Sequence, residues 1–310
     1  LRFSDYMPVH DKEGKDTLWL NVYYPEFEHA EIEANLNKIY TLLHSDGDVD
    51  VLPFLKVDSI HFCTFGNSKP FRIRVRNILN DNYTNFYIKK ADASRIYGLE
   101  LEEILSPNRI NFLLYKDTLI EEHILGIPGD VFIDQHLENC NPLEKAQIAK
   151  EFVKFNERCM IGLLGDMRSY NYVIIPTHDF DQVVYRIRAI DFDQQCYEGN
   201  LKIYLPQYFK ENIKMVEMVQ EKLKPNSIEQ YKKEVRSSIA KRASTDSRLE
   251  HLIAIMKKDT ISKPESVEEL RTALLKLTYN SQFKRCETMG EILEAGLNFV
   301  MRNYRNSNIR

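Results

Sequence analysis

The first third of the chain combines one helical hydrophobic pattern with several alternating ones. Apolar residues recur at helical spacing between residues 26 and 44, and the turn sequence Ser45-Asp46-Gly47-Asp48 follows, which predicts a helix. Apolar residues and arginines alternate between Phe71 and Ile78, as in a strand with one buried face. Shorter runs of the same kinds predict strands at 18–24, 59–64, 85–89, 110–115 and 118–124, and a helix at about 93–105.

From about residue 130 the pattern is mainly helical. The sequence Asn141-Pro142-Leu143-Glu144 combines an N-cap, a proline at the first helical position and a glutamate at the third, which predicts a helix that runs to about Ile161. Related capping sequences at Ser227, Ser266 and Thr288 predict helices near 228–242, 267–278 and 289–303. A small antiparallel sheet followed by a helical part makes the expected fold class α+β.

Composition narrows the class of protein. The chain has 310 residues, of which 43% are hydrophobic and 28% charged, so it is long enough for one large globular domain or two lobes. Its formal net charge of −4 argues against a general nucleic-acid-binding protein, which usually carries a basic excess. We therefore expect no nucleic-acid partner.

Cysteine usage and hydropathy indicate the compartment. The five cysteines are odd in number and lack C-x-x-C spacing, so the sequence predicts neither a disulfide framework nor a zinc site. The chain has no apolar run long enough to span a membrane, and its first residues do not resemble a signal sequence. We expect a cytoplasmic protein with no membrane partner.

Three polar residues stand beside two apolar strands in the middle of the chain. Asp166 precedes Asn171 by five residues, the apolar segment Tyr172-Val173-Ile174 follows, and a second apolar strand ends at Asp191. This layout suits phosphoryl transfer, in which one carboxylate accepts a proton while an amide and a second carboxylate share a magnesium ion. A surface hairpin rich in Asp and Asn, with its turn at Pro176-Thr177-His178-Asp179, is the alternative interpretation.

Two strings in this region resemble a known family. Gly165-Asp166, with Asn171 five residues later, and Ile190-Asp191-Phe192-Asp193 resemble the G-D-x-x-x-x-N loop and the I-D-F-D strand of the protein-kinase-like superfamily. The similarity is greatest to its aminoglycoside and small-molecule phosphotransferase branch. Leu164 departs from the family pattern, which usually has a histidine at this position that braces the loop.

The resemblance covers about residues 57–205 and implies a two-lobed kinase-like fold. In that fold, residues 57–124 would form a small antiparallel-sheet N-lobe, and residues 125–310 a mainly helical C-lobe with the catalytic loop and the metal strand. Residues 1–56, which the sequence predicts to form a strand and a helix, would be an N-terminal extension.

The resemblance also implies roles for residues of the loop and the metal strand. Asp166 would be the catalytic base, and Arg168 would neutralise the transferred phosphate. Asn171 and Asp191 would bind the metal ion, with Asp193 as a further metal ligand.

The expected nucleotide site draws on several segments. Phe86-Tyr87-Ile88-Lys89 is similar to the family's V-A-I-K string, whose lysine grips the phosphates and pairs with a glutamate of the next helix, and strand alternation sends Lys90 to the opposite face. The helix offers Glu100 or Glu103, a hairpin at Gly66 is a phosphate cover or a plain turn, and the sequence after Glu121 resembles the adenine-binding hinge. The residues expected around the nucleotide are Gly66, Lys89, Glu100, Glu103, Glu122, His123, Ile124, Val173 and Ile190.

These features together predict an ATP-dependent, magnesium-requiring phosphotransferase that acts on a hydroxyl-bearing small molecule or protein. A pseudokinase, which would bind nucleotide or serve as a scaffold without transferring phosphate, is the main alternative. The presence of Asp166, Asn171, Asp191 and Lys89 favours the enzyme, whereas the single glycine of the hairpin and the absent histidine favour the scaffold. An unrelated α/β domain whose hairpin resembles the motif is a third possibility.

Overall fold

The structure is a computed structural model that describes residues 2–65, 68–180 and 182–304 of an α+β protein. The chain forms two compact units. The first contains the residues up to 92 together with 110–123, and the second contains 93–109 together with the residues from 124 onward. The boundary expected at residue 56 therefore lies inside the first unit, and the helix that follows Lys89 belongs to the second.

The described part of the first unit contains a seven-stranded antiparallel sheet and one long helix, α1, at Glu26–His44. The strands are β1 Asp5–His10, β2 Asp16–Tyr23, β3 Leu55–Cys63, β4 Phe71–Asn77, β5 Asn82–Lys90, β6 Phe112–Tyr115 and β7 Thr118–Glu122. Their order in the sheet is β1-β2-β3-β4-β5-β7-β6, so β7 lies between β5 and β6.

The alternation along β4 explains the two faces of this sheet. Ile73 and Val75 are fully buried, and they join Leu36 and Leu43 of α1 in one hydrophobic core. The arginines between them point to the opposite face, because successive side chains of a strand alternate. The predicted helix at 26–44 is confirmed, and its apolar stripe is the part that covers the sheet.

The segment before residue 56 is an integral part of the first unit. It supplies β1, β2 and α1, and β2 pairs with β3 through Trp19 and Cys63. The sequence predicted β2 and α1 but not β1, whose exposed residues give no clear alternation of burial.

The described part of the second unit is mainly helical, with a three-stranded antiparallel sheet in the order β10-β9-β8. Its strands are β8 Ile127–Pro128, β9 Tyr172–Asp179 and β10 Gln182–Ala189. Its helices are α2 Ala93–Leu105, α3 Gly129–Val131, α4 Pro142–Gly162, α5 Ile213–Lys222, α6 Pro225–Ala243, α7 Arg248–Met256, α8 Pro264–Thr278 and α9 Met289–Tyr304.

Helix α4 leads the chain to the predicted catalytic loop. Its start is the predicted capping box, in which Asn141 accepts hydrogen bonds from the first turn and Glu144 binds back to the backbone of Asn141. The helix ends at Gly162, and Leu163 follows in the left-handed conformation with φ 53°. Phe152 and Ile148 on its inner side are fully buried.

The last helices form a common hydrophobic core with α2, in which Met256, Leu270 and Ile292 are completely buried. Helices α6 and α8 begin at Pro225 and Pro264, ahead of the serines expected to cap them, because proline is pre-organised for the first helical position. None of the described helices combines the length and the apolar character that a membrane crossing requires.

Candidate functional site

The loop after α4 has an unusual backbone conformation at Asp166. Its φ of 56° lies in the left-handed region, which is uncommon for residues other than glycine and tends to occur at functional sites. Its backbone N–H donates to the carbonyl of Ile203 at 3.1 Å. The preceding Gly165 allows this approach, since a Cβ there would lie 2.9 Å from the side chain of Ile203 and 3.0 Å from the carbonyl oxygen of Gln194.

Two neighbours fix the carboxylate of Asp166. Arg168 Nε donates to Asp166 Oδ1 at 2.9 Å, and Asn171 Nδ2 lies 3.4 Å from Oδ2. The same amide nitrogen donates to the backbone oxygen of Asp166 at 2.7 Å. Because 32% of the Asp166 side chain remains exposed, the carboxylate is both oriented and accessible to a ligand.

Arg168 is held between two acids. Its Nη1 donates to Glu211 Oε1 at 3.0 Å, and its guanidinium lies over the ring of Phe209. The hydrogen bond that Arg168 donates to Asp166 raises the pKa of Arg168 above its ordinary value. Partial burial opposes ionisation of Glu211, but its backbone hydrogen bond and Arg168 together lower the pKa of this carboxyl. The result is a positive charge that stays fixed beside Asp166.

The hairpin of β9 and β10 brings the amide of the motif close to its second acid. Tyr172 pairs with Ala189 in the sheet, and one step further the N–H of Ile190 donates to the carbonyl of Asn171 at 3.0 Å. Asp191 is the next residue after Ile190, and its Oδ1 accepts the N–H of Asp193 at 3.3 Å. The two acids therefore share one tight bend at the end of β10.

A buried arginine of α2 contacts both of these acids. Arg95 is only 7% exposed, and its guanidinium lies 3.4 Å from Asp193 Oδ2 and 3.9 Å from Asp191 Oδ1. No sequence signal pointed to Arg95, because a lone arginine in the first turn of a helix has no distinctive spacing.

The buried side-chain amide of Asn212 also supports the loop through hydrogen bonds. Asn212 is completely buried, and its Nδ2 donates to the carbonyl oxygens of Met167 and Pro206 at 3.0 and 2.8 Å. Its Oδ1 accepts the hydroxyl of Tyr172 at 2.9 Å. Asn212 thus braces the loop through the backbone of Met167. No local sequence signal points to Asn212.

In the first unit, Lys89 has a strand residue as its partner. Lys89 Nζ lies 2.6 Å from Glu121 Oε2, and the two side chains are 10% and 8% exposed. Lys90 is exposed, as the alternation of β5 predicts. The register sets Glu121 opposite Tyr87, two residues before Lys89 on the same sheet face. The sequence led us to expect a helix glutamate at this place, not Glu121.

The glutamates expected as alternatives lie on α2 in the second unit. Glu103 pairs there with Arg248 at 3.2 Å and with Arg109 at 3.6 Å. Glu100 lies nearby, and burial together with the charge of Glu103 raises the pKa of its carboxyl.

The expected hinge is held by side chains as well as by backbone. The N–H of Glu122 donates to the carbonyl of Asn111 at 3.0 Å, and its carboxylate accepts the N–H of Asn111 at 2.9 Å. His123 Nδ1 lies 3.1 Å from the Tyr87 hydroxyl, and burial with the nearby Arg72 lowers the pKa of this imidazole. Ile124, the next expected residue, is buried in the second unit.

The three remaining residues that were expected to contact the nucleotide are Val173, Ile190 and Gly66. Val173 is 3% exposed and therefore packs as an interior residue, while Ile190 is half-buried beside Asn171. Gly66 lies outside the described residues.

The structure thus places Asp166, Arg168, Asn171, Asp191 and Asp193 near one another in the second unit. The sequence matches no family model and no curated protein. Among the described residues, no three His, Cys, Asp or Glu side chains come together as a metal-binding group. The arrangement consists of three aspartates, the amide of Asn171 and the guanidinium of Arg168, and it is supported by Arg95, Asn212 and Glu211.

Proposed function

We propose that this chain is an ATP-dependent phosphotransferase of kinase-like, two-lobed fold, which requires magnesium and acts on a hydroxyl group. One observation carries the proposal. Asn171 contacts the carboxylate of Asp166 through its side chain and the Ile190–Asp191 segment through its backbone, so the base and the second acid of the motif flank one amide. This juxtaposition is what phosphoryl transfer by such a site requires.

Asp166 is the proposed base. Its exposed carboxylate would orient the acceptor hydroxyl and take its proton as the oxygen bonds to the γ-phosphorus and the bond from that phosphorus to the bridging oxygen of ADP breaks. Arg168 supplies a fixed positive charge beside this carboxylate, and a guanidinium suits a phosphoryl group because it can donate two parallel hydrogen bonds.

The residues present fit a magnesium ion by their chemistry. Asn171, Asp191 and Asp193 offer oxygen ligands, which magnesium prefers. Asn171 uses its amide nitrogen on Asp166, so its Oδ1 is the atom for a metal. Bound magnesium would neutralise charge on the nucleotide phosphates. In the first unit, Lys89 is the proposed phosphate ligand, and Glu121 fixes its ammonium group.

The proposed cellular setting is the cytoplasm. It is supported by the cysteines, all of which are free and lie within the described residues. The proposed acceptor is a small molecule or a protein, and neither a nucleic acid nor a membrane is part of the proposal.

A pseudokinase that binds nucleotide is the second candidate, and Arg95 is the observation that favours it. Its guanidinium lies against Asp191 and Asp193, where a metal ion would otherwise balance their charge. Such a pseudokinase would bind ATP with the same affinity in the presence and in the absence of magnesium.

The test uses Asp166→Asn, with Asp179→Asn as the matched control because Asp179 is exposed at the far end of β9. ADP release and incorporation of ³²P are followed over a panel of sugars, aminoglycosides, nucleosides and protein extract. We expect the Asp166 variant to keep its fold and its affinity for MgATP but to lose about 10²–10⁴-fold in rate, the usual contribution of a positioned base. The control should match the wild type.

Two outcomes would contradict the proposal. An Asp166 variant as active as the wild type would show that Asp166 is not the base. Wild-type protein that binds ATP but turns over no acceptor in the panel would favour the pseudokinase.

A further inference from the structure

The deep burial of the Arg95 side chain is not explained by the helix in which it lies. A charged side chain is rarely this deeply buried unless it is paired, and the pairing seen here includes two carboxylates on one bend of the chain. We propose that Arg95 is an internal counter-ion that competes with a divalent cation for Asp191 and Asp193. The inference rests on the proposed function, since it assigns the metal to these acids.

Two anchors hold the helix that carries Arg95 against the acidic bend. One residue before it, Ser94 Oγ donates to the carbonyl of Gln195 at 3.1 Å. One turn after it, Gly98 lies so close to Phe192 that a Cβ on it would approach the Phe192 Cβ to 2.7 Å. Both contacts join α2 to the segment 191–195. The start of α2 therefore stays in place, and the guanidinium leaves the acids only by rotation of its own side chain.

The charges explain why such a contact is useful. Asp191 and Asp193 are two residues apart, and both carboxylates lie within 4 Å of the same guanidinium, so their negative charges are close together. Without a cation this repulsion opposes the bend, and a like-charged pair is costly in a partly buried place. Arg95 supplies one positive charge at 3.4 and 3.9 Å. A divalent cation supplies two, but both cations need the same carboxylate oxygens.

Competition between Arg95 and a divalent cation should lower the affinity of the protein for that cation. The protein without nucleotide should bind a divalent cation weakly, because binding displaces Arg95 from at least one acid. Replacing the charge of Arg95 by a neutral side chain should strengthen metal binding, whereas a purely structural role for Arg95 predicts no change or a loss. The sign of the effect therefore separates the two explanations.

The experiment measures binding of Mn²⁺ alone, without nucleotide or acceptor, from the electron paramagnetic resonance signal of the free ion. The test variant is Arg95→Gln, which keeps hydrogen-bonding groups but removes the charge, and Arg95→Lys retains the charge. Arg158→Gln is the matched control, because Arg158 is a half-buried arginine of the same unit that donates to the backbone of Ile187. Asp191→Asn in the Arg95→Gln background verifies the location of the ion.

We expect Arg95→Gln to bind Mn²⁺ about tenfold or more tightly than the wild type, given the size of a single charge interaction at such distances. Arg95→Lys and the control should stay close to the wild type, and Asp191→Asn should abolish the gain. Equal or weaker binding by a folded Arg95→Gln would overturn the inference, and so would a gain that persists in the double variant.

A second measurement covers the case in which Arg95→Gln does not fold. The Nε–H resonance of Arg95 in the wild type, assigned by its absence in Arg95→Lys, is followed by nuclear magnetic resonance during a Mg²⁺ titration. Its shift with metal supports displacement, and an unchanged resonance at saturating metal overturns it. Turnover enters neither readout, so tighter Mn²⁺ binding in a protein without phosphotransferase activity would support the inference while the proposed function fails.

Discussion

Asn212 donates its side-chain amide to the carbonyl oxygen of Met167 at 3.0 Å, and this bond fixes the middle of the loop between Asp166 and Asn171. The amide also binds Pro206, and the Tyr172 hydroxyl completes its hydrogen bonds. A fully satisfied polar group of this kind specifies one loop conformation, because each alternative would leave a buried group unpaired.

Replacing Asn212 by alanine should destabilise the protein markedly. The change leaves the buried carbonyl of Met167 and the buried hydroxyl of Tyr172 without their partner, while the carbonyl of Pro206 keeps the N–H of Phe209. Each unpaired buried group costs about 1–3 kcal/mol. We expect the free energy of unfolding, measured in denaturant, to fall by at least about 2 kcal/mol. Asn139→Ala removes a similar bond to a backbone carbonyl at an exposed position and should change stability by less than about 0.5 kcal/mol. Equal effects of the two changes would refute the bracing role.

Two helical glycines should respond to alanine with opposite signs. A Cβ at Gly98 would meet Phe192, so Gly98→Ala should destabilise the protein by about 1–3 kcal/mol. A Cβ at Gly296, in the middle of α9, meets no other atom within 4 Å, and Gly296→Ala should stabilise by about 0.5–1 kcal/mol. Thermal unfolding measures both. A stabilised Gly98 variant would show that α2 does not pack closely on Phe192.

Lys89 and Lys90 should differ in their effect on nucleotide binding. Only 10% of the Lys89 side chain is exposed beside Glu121, whereas Lys90 is an exposed residue. We expect Lys89→Met to weaken ATP binding strongly in calorimetry and Lys90→Met to leave it unchanged. The reverse order would mean that Lys89 is only a structural partner of Glu121.

Asp191 should couple ATP binding to magnesium. We expect the wild type to bind ATP more tightly with magnesium than without it, and Asp191→Ala to lose this difference, because an oxygen ligand of the metal is removed. Calorimetric titrations with and without the metal measure the effect. Asp179→Asn again serves as the control. A variant that binds MgATP as well as the wild type would exclude Asp191 as a metal ligand.

His61 should make the first unit sensitive to acid. Burial, together with Arg72 and Arg74, lowers the pKa of this imidazole to about 4. In the unfolded chain, His61 takes up a proton as the pH falls below its ordinary pKa of 6.5, whereas in the folded protein the imidazole stays neutral until about pH 4. The contribution of the neutral imidazole to the free energy of unfolding is therefore fully present above pH 6.5 and is lost as the pH falls to about 4.

Denaturant titrations of wild type and His61→Gln at neutral pH and near pH 4 test this relationship. The variant should lose less stability on acidification, because it has no imidazole to protonate. His10→Gln, at an exposed position of β1, should behave like the wild type. Identical pH profiles for all three proteins would disprove the role of His61.

The fold could be predicted from the sequence where the signal is local. The helix at 26–44, the strand from Phe71 and the capping box at Asn141 are confirmed, because their patterns lie within the elements themselves. Helices α5 and α7 were not predicted, because they have only ten and nine residues and therefore a short hydrophobic repeat. For α7 a local signal was available, since Ser247-Arg248-Leu249-Glu250 has the capping pattern that predicts other helices of this chain.

The candidate site was predictable in part for the same reason. Asp166, Asn171 and Asp191 belong to strings that one hairpin brings together, so their proximity follows from local pairing. Arg95 and Asn212 reach the site from distant parts of the chain, 98 residues from Asp193 and 45 from Met167. Their roles depend on tertiary packing, which no short motif records.

The placement of α2 has a consequence for synthesis on the ribosome. This helix belongs to the second unit, yet it is translated between β5 and β7, which are neighbours in the sheet of the first. Domains usually fold one after another as they emerge. Here the sheet stays incomplete until α2 has been made, and the face of α2 that packs on α6 and α7 stays exposed until those helices follow. A fragment that ends at residue 124 would therefore carry a helix whose apolar face is uncovered, and we expect such a fragment to aggregate where the full chain does not.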